Sequence, residues 1–169
     1  MQLIVIRHAI AEDPAAFAKE GRPDTERPLT KRGRKSMKRI AKALRREVKS
    51  IDVLAASPLV RAAQTAAIVA KEYGGIPVET VPALEPERVP SALAKWLRTE
   101  RDTDVVAIVG HGPHLDIVMT WLISGVAGPH VQIDKGGVCL LDLERAPGAR
   151  SASLRWVLTP EILEKLSGK

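Results

Sequence analysis

Thiols and aromatic rings are scarce in this chain. Its 169 residues include one cysteine, Cys139, and only 3 % aromatics. A single thiol excludes an intramolecular disulfide and any zinc site built on several thiolates. No apolar run reaches the ~18 residues that a membrane-spanning helix requires. No Gly-x4-Gly-Lys-Ser/Thr phosphate loop is present, which argues against a nucleoside triphosphatase. The opening stretch Met1–Ile6 has no basic region ahead of its apolar run, and Arg7 ends that run, so it does not suit a signal peptide. A cytoplasmic location is therefore expected, with no membrane partner.

Core-forming residues are not scarce. Hydrophobic side chains make up 45 % and charged ones 27 %, ordinary globular usage. A chain of this length hides roughly 68–70 % of its unfolded surface, enough for a core without staples. One domain spanning residues 1–169 is expected.

Acids are missing from one segment. The chain carries a net charge of +6, but residues 31–49 hold ten bases and a single acid, Glu47. The remainder holds sixteen bases and nineteen acids. This is one basic helix on a mildly acidic body. It reads as a solvated outer face, with a docking surface for an acidic phosphoprotein as the second reading. Nucleic acid is disfavoured as a partner, because no aromatic side chains interleave with the bases.

Residues 2–6 read as a buried strand. Residues 10–29 contain Pro14, Gly21, Pro23 and Pro28 without a sustained period and read as a long loop. Thr30 is a candidate N-cap for the basic helix, although Gly33 weakens its first turn. Met37, Ile40, Ala41, Leu44 and Val48 give that helix an apolar stripe. Ile51–Ala56 reads as a strand. Ser57-Pro58 reads as a cap followed by proline at the first helical position. Further strands are expected at 76–81, 104–109, 136–143 and 154–158. Helices are expected at 90–98, at 112–123 and after Thr159. Alternating strands and helices imply an α/β fold, with a mainly parallel central sheet flanked by helices in three layers. The late strand pair allows an antiparallel member.

Ligands of such sheets bind beyond the carboxyl ends of the strands. Three of those ends carry reactive groups here: Arg7-His8, Ser57-Pro58 with Arg61 one turn on, and Gly110-His111-Gly112. Guanidinium groups match phosphate oxygens in pairs. A histidine among them is kept neutral by like charge, retains a lone pair and can attack phosphorus. Alone, each part has an ordinary reading: Arg-His as surface residues, His111 as a turn residue, Arg61 as a solvated helix residue. Their joint occurrence points to a phosphoryl site. Two other spacings carry less. Cys139 and Arg145 match Cys-x5-Arg, but the residues between alternate like a strand, and Cys139 reads as a buried small hydrophobe. His111 and His114 lie three apart without an evident third metal ligand, and His114 reads as a pocket-edge or solvated residue.

Arg7-His8, the stretch Ser57-Pro58-Leu59-Val60-Arg61-Ala62-Ala63-Gln64-Thr65-Ala66 and Gly110-His111 resemble the signature of the histidine phosphatase superfamily, the phosphoglycerate-mutase-like fold. The small size and Arg27-Pro28-Leu29-Thr30-x-x-Gly33 are similar to the SixA-type phosphohistidine phosphatases. The motifs cover residues 1 to 115. The resemblance implies that His8 is the phosphorylated nucleophile, that Arg7, Arg61 and His111 bind the phosphoryl oxygens, and that water then releases phosphate. Ser57, in the matching block, would hydrogen-bond near the pocket. No metal or organic cofactor is implied.

Two positions depart from the pattern. Ala9 stands where glycine is usual. Many members carry an acid in a Leu-x-Glu stretch, and Val81-Pro82-Ala83-Leu84-Glu85 places either Ala83 or Glu85 there. Glu85 is thus the candidate general acid, with Glu12 and Asp13 as further candidates. A weak or absent acid suits P–N cleavage better than P–O cleavage, because imidazole takes up a proton more readily than an alkoxide leaves without one. The expected substrate is therefore a phosphorylated protein bearing phosphohistidine, or else a small phospho-compound. The alternatives are a small-molecule phosphomonoesterase or mutase of the same fold, and a catalytically silent phosphate-binding module.

Overall fold

The computed structural model describes residues 1–100, 102–144 and 146–168; Arg145 of the cysteine–arginine spacing lies outside them. Strands β1 (Gln2–Arg7), β2 (Val53–Ala56), β3 (Val78–Thr80), β4 (Val105–Gly110), β5 (Val138–Leu143) and β6 (Ala152–Leu158) form one sheet, in the order β3-β2-β4-β1-β5-β6. The pairs β3–β2, β2–β4 and β4–β1 are parallel. The pairs β1–β5 and β5–β6 are antiparallel. The sheet is therefore mixed, and both late strands run against their neighbours. β3 is an edge strand, where the Pro77 that precedes it removes no needed ladder donor.

The helices are α1 (Pro14–Ala18), α2 (Lys31–Glu47), α3 (Val60–Glu72), α4 (Pro90–Leu97), α5 (His114–Ser124) and α6 (Pro160–Ser167). Successive residues of a strand point to opposite faces, so β1 feeds two cores. Ile4 and Ile6 join Met37, Ile40 and Leu44 of α2, Ala66 and Val69 of α3 and Leu163 of α6. Leu3 and Val5 join Leu93 and Leu97 of α4 and Leu115, Val118 and Leu122 of α5. Helices thus cover both faces, giving the expected three layers. Among the described residues no helix is long and apolar enough to cross a membrane.

The basic helix forms despite its glycine. Thr30 caps it, its hydroxyl accepting from the Gly33 amide at 2.8 Å. Burial of Met37, Ile40 and Leu44 is worth ~1.5–3 kcal/mol each, against about 1 kcal/mol for glycine in a helix. Gly33 also has a positive use. A Cβ there would lie 2.0 Å from the Ile10 carbonyl oxygen. Only glycine lets the chain leaving β1 pass this close to α2.

Two expectations fail in detail. Residues 10–29 are not irregular throughout: they contain α1, capped by Asp13, and a short 3-10 turn at Asp24–Glu26. Ser57 does not cap α3, which starts at Val60 with Leu59 as its N-cap and no side-chain cap bond. The Ser57 hydroxyl is engaged with a histidine instead.

Candidate active site

Strand register brings the reactive groups together. Arg7 of β1 stands opposite Gly110 of β4, and Ala56 of β2 stands opposite Val109. The next residues along each strand therefore emerge at one edge of the sheet. Backbone bonds hold them there: the His8 amide donates to the Gly110 carbonyl at 3.0 Å, and the Ser57 amide to that of Val109 at 3.0 Å. The His8 and His111 rings lie 5.2 Å apart between centroids, tilted by 56°. His8, Ser57, Arg61 and His111 are all buried.

The tautomer of His8 follows from its one ring contact. Nδ1 lies 2.7 Å from the Ala9 carbonyl oxygen. A carbonyl only accepts, so Nδ1 carries the proton. Burial, reinforced by the charges of Arg61, Arg7 and Lys135, lowers the His8 pKa to about 4. At neutral pH the ring is therefore uncharged, and Nε2 keeps its lone pair. Among the described residues Nε2 has no hydrogen-bond partner. Ala9 itself is anchored, its amide donating to the Thr65 hydroxyl at 3.1 Å while that hydroxyl donates to the Arg61 carbonyl at 2.7 Å.

His111 is neutral as well. Burial lowers its pKa to about 3, with Arg61, His8 and His114 adding to the effect. Its Nε2 lies 2.9 Å from the Ser57 hydroxyl. An arriving phosphoryl dianion would oppose the cationic repulsion and favour a protonated ring. In the free protein both rings are expected to stay uncharged between pH 5 and 8, read by NMR titration of their ring protons. Ordinary titration of His8 near pH 6.5 would contradict this geometry. The sign for stability follows: unfolded histidine binds protons below about pH 6.5 while the folded rings do not, so stability falls as pH drops from there toward 4.

Each arginine is held on one side and open on the other. Arg7 donates from Nη1 to the Ile133 carbonyl at 2.8 Å, and the Ile133 amide donates to Asp116 Oδ1 at 3.2 Å. The Arg7 guanidinium packs closely on the Gly112 backbone, where a Cβ would lie 2.7 Å from its central carbon. Arg61 donates from Nη1 to the Asp24 carbonyl at 3.0 Å and pairs with its carboxylate at 3.1 Å. Asp24 also binds Arg27 at 2.6 Å. That bond, with the two guanidinium charges, holds the Asp24 carboxyl below its usual range. Arg7 Nε and Arg61 Nε are buried without an acceptor among the described residues. Such donors cost about 1–3 kcal/mol each, which an anion with several oxygens recovers.

The other sequence candidates make no hydrogen bond or ion pair with this cluster among the described residues. The Glu85 carboxylate takes both Nε and Nη2 of Arg88, at 3.0 and 2.8 Å. No hydrogen bond or ion pair among the described residues joins it to His8, Arg7, Arg61, His111 or Ser57. Asp13 caps α1. Cys139 is buried in β5, where burial raises its pKa to about 12. His114 is not solvated but buried, with neither ring nitrogen partnered. Sequence reasoning did not single out Asp24, Thr65, Asp116 and Lys135. Only Thr65 carried a signal, through the Arg61 block.

Comparison with known proteins bears on the family and the fold. The model of the histidine phosphatase superfamily (branch 1) matches residues 3–85. An uncharacterised protein of Picosynechococcus is 34 % identical over 140 residues, 82 % of each chain. The structure of the protein histidine phosphatase SixA complexed with tungstate superposes with a TM-score of 0.80 at 23 % identity, covering 95 % of this chain and 97 % of that one. The α-ribazole phosphatase of Shigella flexneri superposes with a TM-score of 0.72 at 19 % identity, covering 95 % and 97 %. At these identities the two structural likenesses are of fold. The match of the family model makes the chain a member of the histidine phosphatase superfamily, and the superpositions give it a SixA-like, phosphoglycerate-mutase-like fold.

Proposed function

We propose that this chain is a phosphatase, one histidine phosphatase domain over residues 1–169, that cleaves protein phosphohistidine through a phosphoenzyme on His8. The observation that carries the proposal is the bond from Nδ1 of His8 to the Ala9 carbonyl at 2.7 Å. It leaves the Nε2 lone pair as the nucleophile, beside two guanidinium groups. Nε2 attacks phosphorus, the P–N bond to the substrate imidazole breaks, and that imidazole takes a proton from solvent. Water then attacks phospho-His8, orthophosphate leaves, and the His8 lone pair is restored. Arg7, Arg61 and His111 stabilise the charge on the equatorial oxygens, and Ser57 orients His111. No metal or organic cofactor enters either step.

The phosphohistidine reading is supported by what surrounds the acid candidate. Glu85 is committed to Arg88, and a P–N bond needs little help from a positioned acid. Turnover of a phosphohistidine peptide is expected to exceed that of phosphoserine and phosphoglycerate by about 10²-fold or more in kcat/KM. Glu85→Gln is expected to change phosphohistidine turnover by no more than about twofold. Faster hydrolysis or rearrangement of phosphoglycerate, or a hundredfold loss in Glu85→Gln, would favour the small-molecule reading. Absence of any phosphoenzyme would leave a phosphate-binding module.

A further inference from the structure

A cavity of about 710 Å³ lies between the end of β1, the first half of α2, the turn at Asp134-Lys135 and the start of α6. Arg7 of the reactive cluster is part of its wall. The other cations in its wall are Arg32, Lys35 and Arg39 from α2, and Lys135. Lys135 is near enough for its charge to act on His8.

Three acids, Asp134, Glu161 and Glu164, face the five cations of the wall and leave it with an excess of positive charge. Glu164 is engaged within the protein: it accepts from the Ser36 hydroxyl and pairs with Arg39 at 3.3 Å. Glu161 and Asp134 have no ion pair among the described residues and offset part of the positive charge. Arg32, Lys35 and Lys135 have no ion pair among the described residues. Further along the same helix, Arg45 and Arg46 donate to the carbonyls of Glu72 and Leu166. Lys38 and Lys42 likewise have no ion pair among the described residues, so the charge of α2 runs along the helix, and Arg32 and Lys35 are its unpaired cations in the cavity wall. Cations near a helix N-terminus oppose its dipole. Partly exposed Ile10 adds an apolar wall.

We infer that this groove docks an acidic polypeptide segment flanking the phosphorylated residue of a protein substrate. The inference rests on the phosphohistidine reading and gives it a recognition element. One phosphoryl group fills the imidazole cluster, so the groove serves the chain around it. Fixed like charge of this kind raises encounter rate and favours complementary partners.

The test uses two phosphohistidine peptides, one flanked by glutamates and one by glutamines. Each rate is divided by the same variant's rate on p-nitrophenyl phosphate. In the wild type at low salt the acidic peptide is expected to show a kcat/KM about tenfold higher, since several exposed pairs contribute modestly each. The advantage should shrink toward unity as salt screens it. In Arg32→Glu/Lys35→Glu it should vanish or reverse. The salt series on the wild type keeps the inference testable if that variant folds poorly. Equal rates for the two peptides in the wild type, or a preference indifferent to salt, would overturn the groove and leave the phosphatase reading intact. A wild type inactive on both peptides would remove the parent reading and this one together. A short DNA duplex binding more tightly than the acidic peptide, and lost in the charge-reversed variant, would reassign the groove to nucleic acid.

Discussion

His8→Ala is expected to lower phosphohistidine and phosphoester turnover by about 10⁴-fold or more, the scale seen when a covalent nucleophile is removed. The acid-labile phosphoenzyme should vanish with it. Acid–base help and binding would survive, but no other uncharged imidazole stands where His8 does. The second ring, His111, is turned toward Ser57 at 2.9 Å. The measurement is phosphoryl transfer from labelled substrate, trapped under base and read by intact mass. A variant that still forms a phosphoenzyme would move the nucleophile elsewhere. The substitution should leave the fold in place, since His8 supports the sheet through its backbone amide, which alanine keeps.

The next largest effect is expected at Arg61. Its side chain is 6 % exposed and anchored on Asp24. Removing one preorganised donor from a developing oxyanion typically costs 10²–10³ in kcat, so Arg61→Ala should fall in about that range. Arg61→Lys should recover little, because an ammonium group cannot hold Asp24 and reach a phosphoryl oxygen at once. Asp24 separates positioning from charge. Asp24→Asn removes the carboxylate that competes for the guanidinium but keeps the carbonyl bond of 3.0 Å. Inorganic phosphate should inhibit this variant more strongly while its kcat falls, because Arg61 is freer to bind an anion and less firmly aimed. Equal loss of kcat in Arg61→Lys and Asp24→Asn, with phosphate inhibition unchanged, would reduce both residues to packing.

The layered fold was legible because its signals are local. β1 is an unbroken apolar run closed by a charge, and α2 is an apolar stripe with a threonine cap. Each pattern follows from the repeat of one element. The short helix α1 was lost among the prolines of a long loop, since five residues carry too little periodicity to register. Ser57-Pro58 departs from the helix start its chemistry suggests for a related reason. The dipeptide has the chemistry of a cap, yet it sits two residues before the helix, with its hydroxyl spent on His111. Direction within the late strand pair was equally hidden, because an apolar alternation reads the same both ways.

By itself the sequence determined which chemical groups end the strands: an arginine–histidine pair, a serine with an arginine one turn on, and a histidine between glycines. It also placed the excess positive charge on one helix. Only the tertiary structure decided that these groups meet. The order β2-β4-β1 and its register set three strand ends side by side. Hydrogen bonds that cross long stretches of chain then aim each group: Asp24 to Arg61, Thr65 to Ala9, and Asp116 through Ile133 to Arg7. Burial, too, is a property of the folded molecule. It turns two ordinary imidazoles into uncharged bases, because desolvation penalises a charge according to the atoms around it, whatever their distance along the chain.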